Sequence, residues 1–287
     1  MADITAQMVK DLREKTGVGM GDCKKALVES DGDMTLAIEY LRKKGAASAA
    51  KRADKRASEG KIFVSTTDDS KAGVILEVNS ETDFVAMNEH FVNYVKTVGC
   101  TLLEGEFITY EDLLKATVGD VTIEDMTNDI LAKFSEKIEV RRFNKVCTAG
   151  TVVSYIHAAN GKLGVLMEVN APTLNDTAMN MCKDITMQIA AMNPSFITRD
   201  DVDQITLNKE IEIYKTMAME SGKNEEMAER IAQGKLEKYY TDACLVEQQF
   251  VKDSKKTVGD VLKDISKEVG QDVKINKFFR YSIGEEI

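Results

Sequence analysis

The sequence predicts an α+β fold. It begins with a small N-terminal three-helix module, continues into two related α+β core subdomains with antiparallel sheets, and carries an inserted helical hairpin. Three observations predict this. Residues 72–79 read AGVILEVN and residues 163–170 read LGVLMEVN, 91 positions on, and each copy runs into a helix-like stretch, 88–101 and 175–191. That is a duplicated strand–helix unit. The first 45 residues hold three short apolar helical periods separated by glycine and capping residues. Residues 199–243 read as two long polar helices broken at Ser221-Gly222, with Leu207, Ile211 and Tyr214 facing Met227 and Ile231 along a narrow seam.

A chain of 287 residues accommodates several cores. The expected division is an N-terminal module with a basic connector over 1–55, a first core subdomain over 56–147, a second over 148–198 and 244–287, and the hairpin over 199–243. Hydrophobic residues make up 43% and charged residues 30%, as in an ordinary globular protein. The net charge of −10 argues against a general nucleic-acid binder, whose footprint is basic. Two prolines, no Trp and 14 Met suit a helix-rich chain with adaptable apolar surface. Cys23, Cys100, Cys147, Cys182 and Cys244 are odd in number and widely spread with no C-x-x-C, so reduced thiols are expected rather than zinc or redox sites. The N-terminus lacks the basic and apolar regions of a signal peptide, and no apolar run reaches the length of a membrane span. A cytosolic protein, or one delivered by a signal since removed, is expected.

The elements follow in order. Thr5 caps a first helix carrying Met8, Val9 and Leu12, which Gly17 stops. Asp22 is expected to cap a second helix, and Asp33 a third, ended by Gly45. Residues 42–56, RKKGAASAAKRADKR, hold seven basic residues and one acidic. Their alanine favours a solvated connecting helix, with contact to RNA or an acidic protein as the sharper alternative. Strands are predicted at 62–66 and 73–79, helices at 88–101 and 122–134, and an alternating basic strand with one wet face at 138–146. Residues 151–157 and 163–169 form a hairpin across an Asn-Gly turn at 158–161. A helix over 257–266 and a closing strand over 273–281 complete the chain.

The first copy of the repeat ends in ETDFVAMN, residues 81–88. Ser80, Thr82 and Asp83 suit a strand-to-helix corner, but Phe84 is a bulky ring where an apolar face has not begun. A core position is the commoner fate of a Phe. The second copy has Thr173, Leu174, Asn175 and Asp176 opposite residues 82–85, with no aromatic, so the fold makes this turn without one. That favours a contact role for Phe84. Catalysis is the weaker class. His90 and His157 lack a nucleophile motif nearby, and Gly17-Val18-Gly19-Met20-Gly21 looks like a phosphate loop but follows a helix and breaks the G-x-G-x-x-G register at Asp22. No spaced acidic constellation demands a metal, and no cofactor is expected.

Four ordered segments carry a family resemblance: TGVGMGDCKKAL (16–27), EVNSETDFVA (77–86), MQIAAMNP (187–194) and EQQFVK (247–252). The chain resembles bacterial translation elongation factor Ts over nearly its whole length. The resemblance implies an N-terminal module like ubiquitin-associated domains and a guanine-nucleotide exchange factor, not an enzyme, whose partner is elongation factor Tu. Thr82, Asp83, Phe84 and Val85 match the segment associated with dislodging the partner's magnesium, the Phe entering a gap between two of its helices. His157 matches a second contact, and Val18, Gly19 and Met20 match the contact surface of the N-terminal module. Family members often continue into a helical tail where this chain ends at Ile287, and the loop after His157 differs from the more compact form expected. The resemblance implies no direct nucleic-acid contact, no membrane, and leaves a homo-oligomer possible. The alternative reading is a ribosome- or RNA-associated protein using the basic residues of 42–56 with Arg141, Arg142 and Lys145. A scaffold that self-associates through the hairpin is a third.

Overall fold

The computed structural model describes residues 3–52, 54–107, 109–158 and 160–286, apart from the side chains of 46 and 48–50. Ala53 of the basic run, Ala159 of the Asn-Gly turn and the terminal Ile287 lie outside these. The chain opens with α1 (Ala6–Thr16), α2 (Met20–Glu29) and α3 (Met34–Lys51). Thr5 Oγ1 accepts from Met8 N, and Gly17 ends α1 in the left-handed region at φ 68°. Asp33 Oδ1 accepts from Leu36 N, as its position at the head of α3 requires. α1 and α2 are too short to be stable alone, and Val9, Leu12, Cys23, Ala26, Leu27, Ala37 and Leu41 bury a core shared with α3.

Two expectations fail here. The cap of α2 is Gly19, and Asp22 lies inside the first turn, where its charge complements the helix N-terminus. Gly45 does not end α3. It sits mid-helix because a Cβ there would stand 2.5 Å from Ala132 Cα of the neighbouring α7. The glycine is kept for close approach, not for termination.

The core begins with β1 (Glu59–Thr66) and β2 (Ala72–Ser80), then α4 (Asp83–Met87), α5 (Glu89–Glu104), α6 (Tyr110–Leu114), the tiny hairpin β3 (Thr117–Val118) and β4 (Val121–Thr122), α7 (Ile123–Phe134) and β5 (Ile138–Cys147). Next come β6 (Thr151–Ile156), β7 (Leu163–Val169) and α8 (Asp176–Met192). The hairpin helices α9 (Gln204–Glu220) and α10 (Glu225–Ala243) follow, and then β8 (Gln249–Phe250), β9 (Asp253–Thr257), α11 (Val258–Val269) and β10 (Ile275–Ser282). The two main sheets are antiparallel, ordered β1-β2-β5 and β10-β7-β6, so each repeat strand is central.

Strand alternation sorts the side chains. Val74, Leu76 and Val78 turn outward onto Phe91, Tyr94, Val95, Val98 and Leu102 of α5, with α7 completing that core. Val165, Met167 and Val169 do the same against Ala178, Cys182, Ile185 and Ile189 of α8, with α11 behind. The opposite faces, Ile62 and Ile75 from one sheet and Val152 and Leu166 from the other, meet in a layer between the sheets. The result is helix, sheet, sheet, helix.

The duplication closes on itself with pseudo-twofold symmetry. The repeated glycines Gly73 and Gly164 lie against the opposing sheet; a Cβ on Gly73 would stand 2.7 Å from Val152 Cγ1, and one on Gly164 would stand 2.7 Å from Ile62 Cγ2. Ile62 N donates to Gly161 O, and Val152 N donates to Ser70 O, both at 2.8 Å. Ser70 and Gly161, at φ 56° and 64°, are the left-handed residues of the two matching hairpin turns. The repeated glutamates are both buried in central strands and both paired by basic residues of the third strand. Glu77 takes Arg141 at 3.1 Å and Arg142 at 2.6 Å, and Glu168 takes Lys277 at 3.3 Å.

The expected hairpin is present, with a different seam. Ala218, Ala228 and Ala232 are the buried residues between α9 and α10, while Met227 is half exposed, and Leu207, Ile211, Tyr214 and Ile231 flank the contact. Small residues let the two helices approach closely. At its root, Ser195 N and Phe196 N both donate to Ala243 O at 3.0 and 3.1 Å, and Phe196 forms a parallel bridge with Cys244.

Candidate functional site

The corner after β2 is built by local chemistry. Thr82, extended at φ −123° and ψ 153°, caps the single turn of α4 by accepting from Val85 N. Asn88 ends that turn and starts the next helix, its Oδ1 accepting from His90 N at 3.0 Å. Between the two caps Phe84 is 80% exposed and Met87 64% exposed, while Val85 and Ala86 are buried in the core beneath α5. The corner therefore presents an apolar tip on an anchored base, with the exposed Asp83 carboxylate beside the ring. A ring left this exposed contributes little to the fold that carries it.

Two carboxylates grip the base. Glu136, in the connection from α7 to β5, accepts from Thr82 Oγ1 at 2.9 Å and from Thr82 N at 3.2 Å. Glu81 accepts from Lys137 N and from Arg52 Nε, both at 2.6 Å. The Arg52 guanidinium and the Lys137 amide hold the Glu81 carboxyl down at about 2, far below its ordinary 4.5. Ser80 Oγ donates to Thr82 O at 3.0 Å, fixing the exit from the strand.

The other expected contact residues fall in two places. His157 lies on the turn between β6 and β7, exposed, with Nδ1 3.0 Å from Tyr155 Oη. That turn shares a rim with the corner: Lys162 Nζ bonds Glu59 at 2.5 Å, and Glu59 is paired in register with Ser80. Val18, Gly19 and Met20 belong to the N-terminal module, which packs on α7 through α3. Arg42 fixes that packing by forking onto Asp129 at 2.6 Å and Asp125 at 3.0 Å. Met20 is half exposed and Gly19 open, but Val18 is buried in the module core. Val18 and Val85 therefore hold their segments from beneath, and only their neighbours offer side chains outward.

Several of the basic residues read as a solvated face are engaged within the chain. Arg42 is on α7, Arg52 on Glu81, and Arg141 and Arg142 on the buried Glu77. Lys145 Nζ donates to Leu103 O and Gly105 O at 2.7 Å each. The expected wet face of β5 is an ion-paired one. All five cysteines are free, with Cys147 alone exposed. Among the described residues no group of three or more His, Cys, Asp or Glu could hold a metal, and no helix is long and apolar enough to cross a membrane.

Sequence reasoning singles out Thr82, Asp83 and Phe84 but not the residues that hold them. Glu136 is 54 residues from Thr82, and Arg52 is 29 from Glu81, so no local pattern joins them.

Phe84 is thus an apolar tip on a clamped base, carried by a duplicated helix–sheet–sheet–helix body. The family model described as Elongation factor TS matches residues 81–285. Curated relatives named Elongation factor Ts include one from Chloroherpeton thalassium, 46% identical over all of both chains. Another, from Clostridioides difficile, is 43% identical over 100% of this chain and 95% of the relative, and one from Clostridium kluyveri is 44% identical over 99% and 94%. The chain belongs to the elongation factor Ts family.

Proposed function

We propose that this chain is a guanine-nucleotide exchange factor that binds elongation factor Tu, destabilises its bound magnesium and GDP, and so promotes exchange of GDP for GTP. The observation that carries the reading is Phe84, four-fifths exposed at the tip of a one-turn helix whose base is fixed on every side. Family membership supplies the partner, and the corner supplies the device.

An exchange factor needs no reacting group. It must bind the nucleotide-free partner better than the loaded one, and linkage makes the antagonism reciprocal. Reversing a 1:99 preference to 99:1 takes about 10⁴-fold differential affinity, roughly 5.5 kcal/mol. An aromatic anchor entering a packed gap is suited to supply a large share of that. The Phe84 ring enters between two helices of the partner, and Asp83 sets a negative charge beside it, where a metal ion held by phosphate is open to competition. His157, on the same rim, adds a contact from the second half of the duplication, and Met20 and Gly19 add one from the module.

Release of a fluorescent GDP from elongation factor Tu, with and without this chain, tests the proposal. Acceleration at substoichiometric concentration is expected, and no acceleration sinks it. The RNA-associated alternative predicts binding that falls steeply with salt through released counterions. Internal pairing of Arg42, Arg52, Arg141 and Arg142 favours the exchange reading over it.

A further inference from the structure

We propose that Arg52, Glu81 and Glu136 are positioning residues for the Phe84 corner, making the end of α3 part of the exchange device. The inference rests on the exchange reading above.

Phe84 does not place itself. It is 80% exposed, and its helix is one turn of five residues, far too short to be stable alone. Its direction must come from what holds the turn. Val85 and Ala86 hold it from below by packing, which fixes height but leaves rocking about the strand exit. The polar grips remove that freedom. Glu136 takes both the backbone N–H and the hydroxyl of Thr82, the cap residue, so the first turn cannot swing without breaking two bonds to one carboxylate. Glu81, the residue before it, is locked to Lys137 N and to the Arg52 fork, with its side chain only 13% exposed. Arg52 follows directly on α3, and α3 is itself seated on α7 through Arg42 and Gly45. The path from helical module to corner is therefore continuous.

The second copy of the repeat is the internal control. Opposite Glu81 and Thr82 it has Pro172 and Thr173; that corner is held by Lys71 Nζ donating to Pro172 O and by the α8 cap Asn175, whose Nδ2 donates to Glu268 at 2.9 Å, and among the described residues no carboxylate bonds Thr173. Both corners are therefore held, but the double bond of one carboxylate to the cap threonine and the Arg52 fork on the residue before it are particular to the copy that carries the aromatic.

A ring that enters a packed gap works only if its base resists. Freedom fixed before the encounter is not lost during it. Loosening the clamp should therefore lower the maximum rate of GDP release. Docking, spread over the module and the His157 rim, should change little.

The test uses the full chain and elongation factor Tu loaded with fluorescent GDP. It measures maximum release rate, half-saturating concentration and melting temperature for Phe84→Ala, Glu136→Ala, Glu136→Gln, Arg52→Glu, Glu81→Arg and the Arg52→Glu/Glu81→Arg swap. Glu136→Ala should lower the maximum rate by about three- to tenfold, the scale of one ordinary hydrogen bond's net contribution, with half-saturation near the unmodified value. Glu136→Gln, which keeps an acceptor, should recover most of it. Each single charge reversal should slow release and the swap should restore part of it, because an arginine at 81 re-forms the ion pair but cannot accept from Lys137 N; even partial rescue guards against a variant that simply folds poorly. If Phe84→Ala slows release while Glu136→Ala and Arg52→Glu do not, the clamp is wrong and the exchange reading stands. A shift in half-saturation alone, or a lower melting temperature with unchanged rate per folded molecule, overturns it equally. Failure of the unmodified chain to accelerate release sinks the exchange reading itself.

Discussion

Replacing Phe84 with alanine separates contact from core. Full burial of a Phe contributes about 1.5–3 kcal/mol. With the ring 80% exposed, the fold draws on a fifth of that, about 0.3–0.6 kcal/mol. Alanine is also the better helix former by a few tenths, which offsets part of the loss. The melting temperature should therefore move by no more than about 2 °C. The other four-fifths is available to a partner, about 1.2–2.4 kcal/mol if the ring becomes fully enclosed, which corresponds to roughly 8- to 60-fold in the release rate. Calorimetry and a GDP-release assay on one preparation decide the matter. A fall of 5 °C or more with unchanged release per folded molecule would refute the reasoning, because Phe84 would then be holding the fold rather than being held by it.

Gly73→Ala places a methyl group 2.7–2.8 Å from Val152 and Leu166, so the sheets must part slightly, and a destabilisation of about 1–3 kcal/mol is expected in a denaturant melt. Gly45→Val forces α3 away from the Ala132 backbone and should expose residues 54–58 to proteases while the melt of the core changes little; unchanged cleavage would show that the close approach is dispensable. The Glu81 carboxyl, lowered from 4.5 to about 2, contributes stability that is full above its unfolded value and lost as pH falls through its folded one. The gap in melting temperature between the unmodified chain and Glu81→Gln should thus be constant from pH 7 to 5 and close below about pH 4, whereas closure already at pH 5 would contradict the assigned cause. Substituting a short Gly/Ser linker for residues 204–240 should leave one cooperative melt of the remainder, and global unfolding of that variant would make the hairpin part of the core.

Local chemistry was legible where it acts locally. Thr5, Gly17 and Asp33 announce helix ends because the bonds they make lie within four residues. The repeat was legible because identical faces demand identical alternation, and the second copy's missing aromatic correctly set Phe84 outside. The errors share a cause. Gly45 reads as a stop because its reason, Ala132, lies 87 positions away in sequence; Asp22 reads as a cap because nothing in the string tells a first-turn carboxylate from one position before the helix. Arg52 and Arg141 read as solvent-facing because their acidic partners come from other elements. Tertiary pairing of charges leaves no period in the sequence, so the clamp under Phe84 was invisible while the ring was not. Met87 was quoted within the motif but not singled out, though its exposure makes it part of the same tip.

The root of the hairpin has a consequence for how this chain varies. Because Ser195 and Phe196 share the Ala243 carbonyl, the chain leaves and re-enters the body within one hydrogen bond of the same point. Whatever lies between closes a loop whose entropy depends only logarithmically on length. Adding or deleting a helical turn on each arm leaves the closing geometry untouched, provided the alanine contact stays in step. The tip, where Gly222 turns at φ 83° with open space around it, is thus a natural point at which to graft a fluorescent reporter without disturbing either sheet.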